Sequence, residues 1–199
     1  MRELADETED AGNACDAGAG PGGPWFYCPD LRPGDNELPA EEARHAAAAR
    51  RLEVGAAVTL FDGLGRYAPG RVARRDRRAM TVAVDAVSAQ PAPTRAVTLA
   101  VALPKGKRWQ FLVEKLTELG VAAIVPVRFA RSVVSGSDPE SAIRWMREAC
   151  KQCRRATLPR LEPETPFGDW LAGPGARAAA ARGELFLAAP GAGPLPPGA

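Results

Sequence analysis

The stretch "VEKLTELGVAAIVPVRFARSVV", Val113 to Val134, decides the fold class of this chain. Its first part reads as the end of a helix, with Gly120 as the stop. Val121 to Val127 then runs apolar without the in-and-out alternation of a half-solvated strand. A strand apolar along its whole length is covered on both faces, which is the habit of parallel sheets packed under helices. Two arginines, Arg128 and Arg131, follow its carboxyl end. Either they form a solvated edge, or Arg128-Phe129-Ala130-Arg131 is the floor of a site for a phosphate-rich partner.

Working outward on both sides, the same grammar repeats. "AVTLAVALP" (96–104) is a near-continuous apolar strand. A helix over Lys107 to Leu119 follows, with Trp109, Leu112, Val113, Leu116 and Leu119 on one face. After the central strand, a helix over Pro139 to Arg154 is expected to bury Ile143, Met146 and one of Cys150 and Cys153. "LPRLEP" (158–163) reads as a third strand and, after a short helix, "ELFLAAPG" (184–191) as a fourth. Strands alternating with helices give an α/β domain with a parallel sheet, and ligands of such sheets bind beyond the carboxyl ends of the strands.

Toward the amino terminus the pattern changes. Residues 1–23 are rich in Gly, Ala and Asp, with almost nothing to bury, and read as a disordered tail. Trp25 to Cys28 is a short aromatic strand. "LPAEEARHAAAARRLEVG" (38–55) is a short helix, with Glu41 and Glu42 in its first turn and Arg50 and Arg51 in its last, as the helix dipole prefers. Three strands follow, Val58 to Phe61, Tyr67 to Ala73 and Met80 to Val87, the first two joined by an Asp62-Gly63 turn. "SAQPAPT" (88–94) then reads as a linker. The expected organisation is a tail over 1–23, a small β-barrel over 24–90 and an α/β domain over 94–199.

Composition narrows the function classes. The 199 residues are 46% hydrophobic, enough for real cores, with no apolar run of membrane-spanning length and no secretory leader. A cytoplasmic protein is the default. The formal net charge of +2 hides an asymmetry. Residues 1–24 hold six acids and one base, which leaves 25 bases against 18 acids in the remainder. That excess suits a polyanionic partner, and it equally suits a plain basic surface. Cys150-Lys151-Gln152-Cys153 has metal-like spacing, but no second pair follows and His45 is the only histidine, so the pair reads as buried helix thiols and no metal is expected.

Three basic clusters could converge on one rim. Pro104-Lys105-Gly106-Lys107-Arg108 sits at a helix start, where free N–H groups and the dipole favour an anion. Arg128, Arg131 and Ser132 follow the next strand, and Lys151, Gln152, Arg154 and Arg155 end the next helix. Glu114 and Glu118 lie four apart on one helix face. They form an ion-paired surface with Lys115, or a polar network facing the arginines. His45 reads as structural or as an RNA contact. No Ser-His-Asp set or paired-carboxylate motif is present.

The run "PKGKRWQFLVEKLTELGVAAIVPVRFARSVV" resembles the bacterial 16S ribosomal RNA (uracil-N3)-methyltransferase family, whose pattern is close to K-G-x-R-x-x-x-x-x-x-K-x-T-E-L-G-V-x-x-I-x-P-x-x-x-x-R-S-V. "REACKQCRRATLP" is similar to its E-A-x-x-Q-S-x-R-x-x-x-P stretch, with Cys153 for the usual Ser and Arg154 for a usual glycine. "FYCPDL", "EEARH", Arg51 and "LFDGLGRY" resemble its PUA-like barrel, with Trp25 and Arg44 replacing a usual Arg and His. The resemblance implies a methyltransferase domain of the SPOUT class, S-adenosylmethionine as methyl donor, 16S rRNA of the small ribosomal subunit as partner, and a homodimer. It places Arg131, Ser132 and Glu118 at the catalytic centre. RNA would meet Lys105, Lys107, Arg108, Lys115, Gln152, Arg155, His45 and Arg51. Leu187, Ala188, Pro190 and Gly191 would form one wall of the cofactor pocket. The family continues with a G-P-E-G-G-type loop and a trefoil-knot segment. Here "APGAGPLPPGA" (189–199) stands instead, so the expected domain stops before the knot. A non-catalytic RNA-binding remnant is the alternative reading.

Overall fold

The structure, a computed structural model, describes residues 23–48, 52–76, 79–133, 136, 138–188 and 193. The acidic tail, Arg51, Pro190, Gly191 and nearly all of 189–199 lie outside these residues. The described chain divides into two compact units. One comprises the residues up to Ala92 together with Cys150–Thr157; the other comprises Pro93–Ala149 and the residues from Leu158 onward.

The first unit is built on β1 (Trp25–Tyr27), β2 (Gly34–Glu37), α1 (Ala40–Ala48), β3 (Ala57–Phe61), β4 (Arg66–Arg75), β5 (Met80–Val84) and β6 (Ser88–Ala89). These strands make one sheet in the order β1-β3-β4-β5-β2, with β6 added against β4. Only β1 and β3 run parallel. Phe26, Val58, Leu60, Ala68, Val72, Val82 and Val84 turn to one core, which Ala43 and Ala46 of α1 cover. β3 is buried on both faces: Trp25, Tyr27 and Tyr67 gather around Phe61 or one another, with ring centroids 5.7 to 5.9 Å apart. Gly70 is needed where β4 meets β5, since a Cβ there would lie 2.5 Å from the Ala83 carbonyl oxygen.

Several expectations are corrected here. β2, "GDNE", carries no hydrophobic signal and was not foreseen; it forms because β5 offers it an antiparallel edge. The third strand ends at Val84 rather than Val87. The supposed linker begins inside the fold: Ser88 and Ala89 pair with Tyr67 and Arg66, and Gln90 is held by both ends of its side chain.

The second unit contains β7 (Thr98–Ala102), α2 (Lys107–Glu118), β8 (Ala123–Arg128), α3 (Pro139–Cys153), β9 (Arg160–Leu161), β10 (Thr165–Pro166), α4 (Phe167–Ala172) and α5 (Pro174–Ala181); the last turn of α3 packs with the first unit. The sheet is wholly parallel. β8 is central, β7 lies on one side, and β9 and β10 share the other. β9 pairs with the start of β8 and β10 with its end, with Pro163 between them. Ile124 accepts a hydrogen bond from Glu162 N at 3.0 Å on that side. By strand alternation Pro126 faces the same side, where the break spares it from donating an N–H it lacks.

Helix ends follow a shared design. At α2, Gly120 (φ 84°) takes the left-handed position, and Gly120 N and Val121 N donate to the carbonyls of Thr117 and Leu116 at 3.1 Å each. This is a Schellman turn. It directs Leu119 outward, 81% exposed, so that residue does not join the buried face; Thr117 does, its hydroxyl donating to Val113 O at 2.8 Å. At the other end of α3, Asp138 accepts from Glu140 N at 3.1 Å and Pro139 opens the helix. The buried stripe of α3 is Ala142, Met146, Ala149 and Cys150, whereas Ile143 is exposed, one step round the helix from the expected face. Glu184–Ala188 is not a strand: α5 ends in another Schellman turn at Gly183, and the residues beyond pair with no described strand.

Candidate nucleic-acid site at the carboxyl edge of the parallel sheet

Parallel pairing decides which side chains meet. β7, β8 and β10 all point the same way, so the chain leaves Ala102, Arg128 and Pro166 at one edge. Beyond β7 come Lys105, Lys107 and Arg108, all exposed. α2 starts at Gly106 with no side-chain cap and no acid in its first turn. Placing bases there opposes the helix dipole, a local cost that an anion would relieve.

Beyond β8 the chain turns sharply. Ser132 N donates to Phe129 O at 3.0 Å, and Phe129 N donates to Ser132 Oγ at 2.9 Å. The Ser132 hydroxyl oxygen thus closes the turn that presents Arg131. Glu164, 13% exposed, clips the same loop from the side: it accepts from Arg128 Nη1 at 2.9 Å and from Gly136 N at 2.7 Å. The two arginines therefore differ. Arg128 is neutralised by Glu164, while Arg131 is exposed and pairs with no acid among the described residues.

Beyond β10, α4 begins with Phe167. Its ring stacks on Phe129, with centroids 4.6 Å apart and planes at 28°, and Trp170 lies 6.0 Å further on. Phe129 remains 42% exposed. The sequence offered no reason to pair Phe129 with Phe167; only the common strand direction brings them together.

The remaining expected site residues fall elsewhere. Glu118 and Lys115 form an ion pair at 2.7 Å on the last turn of α2, and Glu114 accepts from Gln110 at 2.8 Å. The helix carries Glu118 about 16 Å along its axis from Lys107, so within this chain it does not reach the edge that holds Arg131 and Ser132. The third basic cluster, Lys151, Gln152, Arg154 and Arg155, belongs to the first unit. There Lys151 is buried against Glu42, with Nζ 3.1 and 3.3 Å from the two carboxylate oxygens. Gln152 is exposed, and His45 is exposed with its ring 6.4 Å from Phe26. Cys150 is fully buried, its thiol 3.6 Å from Thr157 O; burial, with Cys153 adding to it, pushes that thiol up to about 12. Leu187 and Ala188 are exposed and in no regular element. Trp25, where the resembled family carries an arginine, is buried and stacked on Tyr67.

The fold thus has a parallel sheet with a basic, aromatic carboxyl edge and a unit built on a mixed sheet, and comparison with known proteins identifies both. Residues 90–185 match the RNA methyltransferase domain, and residues 38–85 match the RNA methyltransferase PUA domain. Together the two domain models span most of the chain, which therefore belongs to the RNA methyltransferases that carry this domain pair and is similar to members named ribosomal RNA small subunit methyltransferase E. It is 33% identical over 128 residues to the protein of that name from Mycobacterium bovis, covering 61% of this chain and 49% of the relative. With the Bacillus subtilis protein of that name it shares 38% over 71 residues, 33% of this chain and 28% of the relative. Among solved structures, a probable rRNA-methyltransferase from Porphyromonas gingivalis superimposes with a TM-score of 0.68 at 29% identity, covering 74% of this chain and 63% of that one. The Neisseria gonorrhoeae ribosomal RNA small subunit methyltransferase E, bound to S-adenosyl methionine, gives 0.66 at 28%, covering 74% and 64%. The match thus spans about half the length of the Mycobacterium relative.

Proposed function

We propose that this chain contributes to S-adenosylmethionine-dependent methylation of a uracil at N3 in 16S ribosomal RNA, acting in the cytoplasm as part of a homodimer. The supporting observation is the carboxyl edge of the sheet, where Lys105, Lys107, Arg108 and Arg131 stand exposed on the ends of two parallel strands. The methyl donor is proposed from the Neisseria relative, whose structure is bound to it.

Uracil N3 lies on the pairing edge, so the target base must be unpaired or flipped out. Methylation also removes the N3 proton. The exposed Arg131 guanidinium, held by the Phe129–Ser132 turn, would stabilise the negative charge that develops as the proton leaves. Lys105, Lys107 and Arg108 would seat the flanking phosphates, aided by the uncapped start of α2. Glu164 would act as a positioning residue, fixing the loop on which Arg131 stands. The first unit would hold the RNA through His45, Gln152, Arg155 and Arg51. The domain division proposed is a PUA-like module over 24–90 and a methyltransferase domain from residue 94.

A second reading is that the chain binds RNA without catalysis, which the same exposed cations would serve. One pair of measurements separates the two. Titration of S-adenosylmethionine into the 199-residue protein should give micromolar binding, and small ribosomal subunits should then accept labelled methyl groups, with Arg131→Ala inactive but folded. RNA binding without cofactor binding would select the second reading, and full turnover by Arg131→Ala would remove that residue from the mechanism.

A further inference from the structure

We infer that Phe129, backed by Phe167, is a stacking platform for an unpaired base of the RNA strand; the inference rests on the reading of this edge as the RNA-facing one. The two rings come from different strand ends and stack at 4.6 Å and 28°, yet Phe129 keeps 42% of its surface exposed. A phenylalanine used only to fill a core would be covered. This one is fixed at its back by Phe167 and at its backbone by the Ser132 hydroxyl, so its orientation is set before any ligand arrives. Trp170 extends the aromatic row behind Phe167 at 6.0 Å.

The neighbours decide what the ring is for. An aromatic face on an apolar surface would suit a protein partner. Here the next residues are Arg128, whose charge Glu164 neutralises, and Arg131, exposed two residues beyond the ring. Lys105, Lys107 and Arg108 stand exposed at the same sheet edge. Fixed aromatic rings among cations are how proteins hold single-stranded nucleic acid: cations take the phosphates and rings take the base faces. Every base has a π-face, so the platform holds a base irrespective of its identity and leaves discrimination to other groups. Stacking a base of the strand here would keep the strand splayed, as an enzyme acting on a pairing edge requires.

The test uses short oligouridine and an abasic oligomer of equal length and charge, titrated into the full chain at several salt concentrations. Phe129→Ala should weaken oligouridine binding by about tenfold, the effect of losing one stacked base. Binding of the abasic oligomer and the salt slope should not change, because the phosphate contacts remain. Phe129→Leu, which keeps apolar bulk against Phe167 but has no π-face, should behave as Phe129→Ala, and Phe129→Trp should bind as the parent does. If Phe129→Ala or Phe129→Leu binds oligouridine as tightly as the parent, the platform is overturned while the RNA-binding reading stands. If the parent binds neither oligomer, both are overturned.

Discussion

The two units use charge in opposite ways. In the first, Asp62, Glu42 and Lys151 are turned inward and matched. Asp62 has a fully covered side chain and accepts from Leu64 N, Arg66 N and Arg66 Nε at 2.8, 3.0 and 2.6 Å, closing the hairpin turn on itself. Lys151 and Glu42 are paired with only 6% and 9% of their side chains exposed. In the second unit, the charges at the sheet's carboxyl edge point outward, and Arg131 has no acidic partner among the described residues. A buried, matched charge serves the fold, since either partner alone would be left desolvated. An exposed, unmatched one contributes little to stability and is available to a ligand. The difference sets the buried Lys151 apart from the exposed Arg131 in a chain with 26 such cations.

The contrast is most easily broken at the buried pair. Glu42→Ala strands a buried ammonium group and should cost about 3–5 kcal/mol, whereas the joint replacement Glu42→Leu with Lys151→Met should recover most of it. Urea denaturation of the three proteins decides; a loss under about 1 kcal/mol for the single variant would mean that Lys151 reaches water and belongs with the edge cations.

Smaller effects are expected at the helix ends, which sharpen the comparison at backbone level. α3 ends as α2 does, with Arg155 N donating to Cys150 O at 3.1 Å, but the left-handed position is filled by Arg154 at φ 55°. Gly120→Ala should destabilise by about 1 kcal/mol, while Arg154→Gly should stabilise by about 0.5 kcal/mol, relief of the side-chain clash outweighing the added freedom of the unfolded chain. Thermal melts should move in opposite directions. A drop for Arg154→Gly would show that the arginine side chain makes up the backbone cost through contacts of its own.

The smallest stability change is expected at the edge itself. Arg131→Ala should alter unfolding free energy by less than about 0.5 kcal/mol, even though it removes the charge on which the proposed chemistry depends. Strong destabilisation would transfer Arg131 to the structural group and leave the site without its central cation.

Much of this was legible in the residues. The helix–Gly–strand grammar of 113–134 follows from local rules: Gly120 is a residue that turns left without strain, and Val121 to Val127 offers no polar face to water. The carboxyl-edge placement of Lys105 and Arg131 follows from parallel topology alone. The family resemblance rested on the same stretch, and the domain matches agree with it. Other features left no local trace. Cys150–Thr157 lies deep in the second half of the chain, yet it packs with the first unit: Gly65 N donates to Ala156 O at 3.0 Å, Ala156 N to Gln90 Oε1 at 2.8 Å and Gln90 Nε2 to Arg154 O at 3.2 Å. On the 150–157 side all three bonds use backbone atoms, which any residue there would carry, so no composition or period could announce them.

The sequence by itself determined the helices α1 to α3 and most of the strands around them, because propensity, capping and hydrophobic period act within a few residues. Which charges are spent on folding, which aromatic rings stack and which apolar runs find a strand to pair with were decided only by tertiary structure. Lys151 and Arg131 are both basic residues near the end of a regular element. One meets a buried carboxylate 109 positions away and the other meets solvent, a separation in environment that is invisible along the chain.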